Sequence, residues 1–60
     1  MRRAELVVLN AAILVCSFHW ELFMAHEERA SGHADRAAEH IDKAREIVDA
    51  LQGAAERMGE

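Results

Sequence analysis

Four histidines are the residues of this chain whose type and spacing could support chemistry. His19, His26, His33 and His40 follow one another at intervals of seven residues. Such an interval returns a side chain to nearly the same side of a helix, and imidazole nitrogens bind zinc, copper and nickel. If the chain folds back midway, His26 lies level with His33 and His19 with His40. The spacing therefore permits a site for zinc or another transition metal, which the thiolate of Cys16 could join.

The same spacing also has a structural explanation, because any residue that keeps one position in a packed helix recurs every seven residues. Val15 and Leu22 flank His19 on its helical face, so we expect His19 to be buried and acid to weaken the fold. An enzyme is not indicated. Cys16 has no acidic partner to orient His19, and the chain has neither a serine triad nor a glycine-rich phosphate loop. No cofactor is predicted beyond the alternative metal.

The composition favours one small helical domain that needs support from outside itself. The chain has 60 residues, no proline and one cysteine. Chains of this size usually add disulfides, a metal or oligomerisation, and a single cysteine excludes an internal disulfide. A lone thiol is typical of a reducing compartment, so the predicted location is cytoplasmic. Nucleic acid is not a predicted partner, since the net charge is −4 and Arg2 and Arg3 are the only adjacent basic pair.

The elements that must position these residues are two helices. The pair Ser31-Gly32 is the only turn signal in the middle of the chain, and glycine tolerates the left-handed conformation that ends a helix. We expect a single domain over residues 1–60, with one helix at about 3–30, a turn at 31–32 and a second helix at about 33–58. Ser31 is expected to cap the second helix. The predicted fold class is an all-α antiparallel helical hairpin.

The second helix has a regular apolar row. Its members alternate in steps of three and four residues, which makes one narrow stripe suited to burial. Alanines dominate this stripe, so it permits close approach of the helices but buries little area per residue. The predicted row is Ala34, Ala37, Ile41, Ala44, Val48, Leu51, Ala55 and Met58.

The first helix is apolar around most of its circumference. One thin polar stripe, which we expect to face water, consists of Arg3, Asn10, Ser17, Glu21 and Glu28. A single partner helix covers only one side, so the remaining apolar side chains require another chain. We therefore expect a homodimer of hairpins that forms a four-helix bundle, a layout that resembles the Rop-type dimers in chain length and hairpin position. The predicted dimer interface consists of Leu6, Leu9, Ile13, Leu14, Phe18 and Trp20.

These features predict a non-enzymatic protein-interaction module, a regulator, inhibitor or adaptor, that acts as a homodimer. A patch of Leu6, Trp20 and Met24 beside the polar stripe is predicted to bind another protein. One alternative is a metal-binding bundle built on the four histidines. A further alternative is a single membrane span over residues 6–25, whose length suits a bilayer. A span is disfavoured by Glu21, because a carboxylate inside a bilayer is costly.

Overall fold

The computed structural model describes residues 2–59, apart from the side chain of Met58. It consists of two helices, α1 (Arg3–Ala30) and α2 (Ala34–Met58), which pack against each other along their lengths. The molecule is a narrow rod of 45 × 17 × 10 Å. The predicted all-α helical hairpin is confirmed.

The connection between the helices is a short, fully hydrogen-bonded turn. The amide of Gly32 donates to the carbonyl of Arg29, and the amide of His33 donates to the carbonyl of Glu28. This pair of bonds is the Schellman motif, which needs a left-handed residue after the helix. Gly32 supplies it with a φ of +83°. The expectation that Ser31 caps α2 is wrong, because Ser31 ends α1 and His33 precedes α2 without a side-chain cap bond.

Two facing rows of residues set the register of the hairpin. His33 contacts Glu28 and His40 contacts Glu21. The two residue numbers in each pair have the same sum, and this sum identifies the other residues that face each other across the hairpin. This register brings polar pairs together near the turn. Farther from the turn it places the apolar residues Leu14 and Val7 level with Ile47 and Ala54. The inner row of α1, the face that packs on α2, is Val7, Ala11, Leu14, Phe18, Glu21, Ala25 and Glu28.

The core of the hairpin is made of alanine. Ala25, Ala37, Ala44 and Ala54 are the buried apolar residues among those described, and no large side chain there is fully buried. Small side chains at these positions let the two helices approach closely. The hairpin therefore removes little apolar surface from water, and burial of such surface is the main source of stability in folding.

The apolar row predicted for α2 is partly wrong. Ala37, Ile41, Ala44 and Leu51 are buried or half-buried as expected, but Ala34, Val48 and Ala55 are exposed, and the side chain of Met58 lies outside the described part. Relative to the prediction, α2 is rotated so that His40, Ile47 and Ala54 face α1 in place of Ile41, Val48 and Ala55. That inner row of α2 consists of Ala37, His40, Ala44, Ile47, Leu51 and Ala54.

The polar stripe predicted for α1 also needs correction. Arg3, Asn10 and Ser17 are exposed, but Glu21 and Glu28 lie on the inner row and face α2. Their carboxylates are tolerated there because each has a histidine partner across the interface. The polar character of α1 therefore serves the hairpin itself at its turn end.

Candidate interaction surfaces

A second regular row runs along an exposed face of α1, and its members Cys16 and Trp20 border a groove shared with α2. Its members are separated by three and four residues in strict alternation, the pattern by which helices pack against other helices. Exposure of its large apolar side chains ranges from 48 to 58 %. The rings of Trp20 and Phe23 lie 6.0 Å apart, so they form one aromatic cluster on this face. We call this set the outer row: Leu6, Leu9, Ile13, Cys16, Trp20 and Phe23.

The outer row contains four of the six residues predicted for a dimer interface. Leu6, Leu9, Ile13 and Trp20 are exposed, whereas Leu14 and Phe18 are half-buried on the inner row. Those two side chains pack within the hairpin, so the face predicted for a second chain is narrower than expected. Sequence reasoning missed Cys16 and Phe23, although their spacing completes the three-and-four alternation.

The residues predicted to bind a partner protein do not form one exposed patch. Leu6 and Trp20 belong to the outer row, and both are more than half exposed. Met24 is half-buried and lies beside the inner row. A docking surface around Leu6 and Trp20 is therefore continuous with the outer row, and Met24 lies at its margin.

A depression lies between the helices on each long side of the hairpin. On one side Leu22 of α1 and Ile41 of α2 line it together with His26 and Arg29, and Val8, Val15 and Val48 are exposed along the same lines of each helix. We call the five aliphatic residues Val8, Val15, Leu22, Ile41 and Val48 the lateral patch. On the opposite side the depression is lined by Cys16, Trp20 and Ile47 together with the polar residues Ser17, Glu21, Lys43 and Glu46. The lateral patch is a second, weaker apolar surface, because its side chains are smaller than those of the outer row.

The turn end of the hairpin holds the polar contacts. The imidazole Nδ1 of His40 lies 3.0 Å from Oε2 of Glu21, and Nδ1 of His33 lies 2.9 Å from Oε2 of Glu28. Arg36 adds a longer approach of 3.9 Å to Glu28. The inner pair is better shielded, since both of its side chains are less than one fifth exposed. These pairs align α2 against α1 and contain no activated nucleophile.

The four histidines do not converge. His33 and His40 face glutamates on α1, whereas His19 and His26 are exposed on another face of that helix. The expectation that His19 is buried between Val15 and Leu22 is wrong for the hairpin, because all three are exposed. Among residues 2–59, no three histidine, cysteine, aspartate or glutamate side chains are grouped closely enough to hold a metal ion.

No protein-family model, curated protein or solved structure matches this chain. The helix Arg3–Ala30 is long and apolar enough to cross a membrane, with a mean hydropathy of 1.8 over its most apolar window. Core helices of soluble proteins and signal sequences share this property, so it does not by itself distinguish an environment.

Proposed function

We propose that this chain is a non-enzymatic protein-interaction module, a regulator, inhibitor or adaptor, that works as a homodimer through α1. The observation that carries the proposal is the contrast between its alanine core and its outer row. The hairpin buries Ala25, Ala37, Ala44 and Ala54, while its large apolar residues stay about half exposed. A chain whose largest apolar groups remain wet gains its stability by burying them against another chain.

The outer row suits another helix in both shape and size. It spans residues 6–23, which is close to five helical turns, and alternates side chains in steps of three and four. Each of its large side chains stands to gain on the order of 1 kcal/mol when its exposed half is covered. A second copy offers an identical row, and two hairpins give an assembly of four helices.

The experiment that tests this proposal is the molar mass of the purified protein, measured by light scattering and analytical ultracentrifugation over micromolar concentrations. The dimer mass is expected for the wild type. Ile13→Asp is expected to remove the dimer, because it places a charge at the centre of the outer row. Ala38→Asp is the matched control, since Ala38 is exposed on α2 and lies outside the outer row. A folded wild-type monomer at these concentrations would refute the proposal.

A membrane-associated hairpin is the second candidate, favoured by the length and hydropathy of α1. Glu21 lies within the apolar stretch of α1 and argues for a helical partner in water instead, because a carboxylate is costly inside a bilayer. Flotation with neutral phospholipid vesicles separates the two candidates. Recovery of the protein with the vesicles, together with a monomer in buffer, would favour the membrane.

A further inference from the structure

The outer row continues at both ends into charged residues of opposite sign. Arg2, the extended N-cap residue of α1, lies four residues before Leu6, and Glu27, near the end of α1, lies four residues after Phe23. Both side chains are exposed, and neither forms an ion pair with another residue in the described range 2–59. The extended row therefore has a cation at one end, an apolar middle and an anion at the other end.

An antiparallel second copy is complementary to this row at every position. When Ile13 lies opposite Cys16 of the second copy, Leu9 lies opposite Trp20 and Leu6 opposite Phe23. In each of these pairs an aliphatic side chain faces either an aromatic ring or the small side chain of Cys16, so the aromatic rings of the two copies do not face each other. The same register places Arg2 opposite Glu27, and the two-fold symmetry repeats this ion pair at the other end.

A parallel second copy lacks this complementarity. Arg2 would lie beside Arg2 and Glu27 beside Glu27, which places like charges together at both ends of the interface. Trp20 would also meet Trp20 at one level, and Cys16 would meet Cys16. Charges of equal sign at an interface disfavour a pairing mode and thereby select its competitor.

The residues that flank the outer row agree with the antiparallel register. Asn10 and Ser17 lie along the same edge of α1. The antiparallel register brings Asn10 of one copy near Ser17 of the other. Glu5 and His26 lie along the opposite edge, and the register brings them together in the same way. Each edge therefore contains one polar pairing, Asn10 with Ser17 or Glu5 with His26, beside one mixed pairing, Arg3 with Met24 or Ala12 with His19.

We propose that the outer row binds the outer row of a second copy in the antiparallel orientation, with Arg2 of each copy beside Glu27 of the other. This inference rests on the proposed function, since it requires that the chain dimerises. Because the outer row lies on a different side of α1 from the inner row, the two α1 helices pair at the centre and each α2 lies outside them. The two lateral patches then lie on the same side of the assembly, since the two-fold axis is normal to the plane of the paired α1 helices.

Charge reversal at the two ends tests the orientation. Arg2→Glu or Glu27→Arg alone is expected to raise the dimer dissociation constant roughly tenfold, because each turns two attractive pairs into repulsive ones. The double variant is expected to return to within about threefold of the wild type, since the pairs are restored with their signs exchanged. In a parallel dimer the double variant would gain nothing over either single variant.

Helix stability does not mimic this pattern. An acid at the start of α1 and a base in its last turn both interact favourably with the helix dipole, so neither single reversal weakens the helix. Circular dichroism of the monomeric fraction is the control, and the helical signal is expected to stay unchanged. The difference between single and double variants should also shrink at high salt, because exposed ion pairs are screened.

A distance measurement gives a second readout. A spin label at Glu5→Cys in a Cys16→Ala chain is expected to lie about 30 Å from its symmetry mate in the antiparallel dimer, from the helical rise of 1.5 Å per residue. A parallel dimer brings the two labels within about 15 Å, given the usual spacing of packed helices. Electron paramagnetic resonance distinguishes these distances.

The outcomes separate the orientation from dimerisation itself. Restoration by the double variant together with the long label distance supports the antiparallel pairing. A dimer with the short distance, or with no restoration, overturns the orientation and leaves the proposed function standing. A monomer under all conditions overturns both, and a monomer that floats with vesicles makes lipid the occupant of the outer row. A dimer that survives Ile13→Asp but is lost in Val15→Asp overturns the inference in favour of the lateral patch.

Discussion

The carboxylate of Glu21 and the imidazole of His40 meet across the hairpin at 3.0 Å, although 19 residues separate them in the chain. This contact belongs to the line of α2 that faces α1. With His40 turned inwards, Ile47 and Ala54 follow it at intervals of seven, and Val48 and Ala55 turn outwards. The apolar residues of α2 allow two rotations of this helix against α1, and the observed one is the rotation that pairs His40 with Glu21.

The first prediction concerns the coupling between Glu21 and His40. A double-mutant cycle with Glu21→Ala and His40→Ala is expected to give a coupling free energy of about 1–2 kcal/mol, because the pair is shielded and charge-assisted. The matched cycle at Glu28 and His33, where the imidazole is half exposed, is expected to give less than about 0.5 kcal/mol. Urea unfolding at fixed protein concentration measures both. Equal coupling in the two cycles would show that shielding at Glu21 has no energetic effect.

The hairpin itself could be predicted from the sequence because its signals are local. The absence of proline, a central Ser31-Gly32 and helical periodicity on both sides are visible without any knowledge of tertiary contacts. The rotation of α2 could not be predicted in the same way. Two rows of α2 share Ala37 and Ala44, and they differ in whether Ile41 or His40 lies between these alanines. The position of Glu21 on the facing helix favours the row that contains His40.

The candidate site could be predicted only in part. The apolar excess of α1 is plain from the sequence, and Leu6, Leu9, Ile13 and Trp20 are indeed exposed. Leu14 and Phe18 lie half-buried on the inner row. The sequence does not indicate this, because a helix that is apolar nearly all round gives no internal signal of which face meets its own partner. That assignment requires the register across the turn, which the two histidine–glutamate pairs provide.

A second prediction compares two glycines. Gly32→Ala is expected to cost about 1 kcal/mol of unfolding free energy, since its φ of +83° disfavours any side chain while no atom blocks the space. Gly53→Ala is expected to stabilise the protein by about 0.5–1 kcal/mol, because Gly53 lies within α2 and a methyl group there meets only Arg57 at 3.5 Å. Thermal unfolding checks the opposite signs. Shifts of the same sign would contradict the backbone assignment at one of them.

A third prediction concerns the close packing of the helices. Ala37→Leu is expected to destabilise the hairpin by about 1–3 kcal/mol, because Ala37 is 2 % exposed and a larger side chain forces the helices apart. Its neighbour gives the control, since Ala38 is exposed and Ala38→Leu should change stability by less than about 0.5 kcal/mol. Chemical denaturation followed by circular dichroism measures both variants. If Ala37→Leu were tolerated as well as Ala38→Leu, the inner row of α2 would be misplaced.

A fourth prediction uses Trp20, the only tryptophan of the chain, as a native probe. Trp20 is 58 % exposed in the hairpin. Its emission is expected to move to shorter wavelength, and its quenching by acrylamide to weaken, as the protein concentration passes through the dimer dissociation constant. In Ile13→Asp the emission should stay at long wavelength at all concentrations. An emission maximum independent of concentration in a proven dimer would place Trp20 outside the interface.

The short turn at Ser31, Gly32 and His33 has a consequence for competition between partners. It tethers α2 to α1, which holds α2 beside the inner row at an effective concentration in the millimolar range, as is usual for short links. A helix from another molecule at micromolar concentration is therefore outcompeted there by roughly a thousandfold, at equal intrinsic affinity. The tether thus disfavours outside helices at the inner row and leaves the outer row of α1 as the surface open to them.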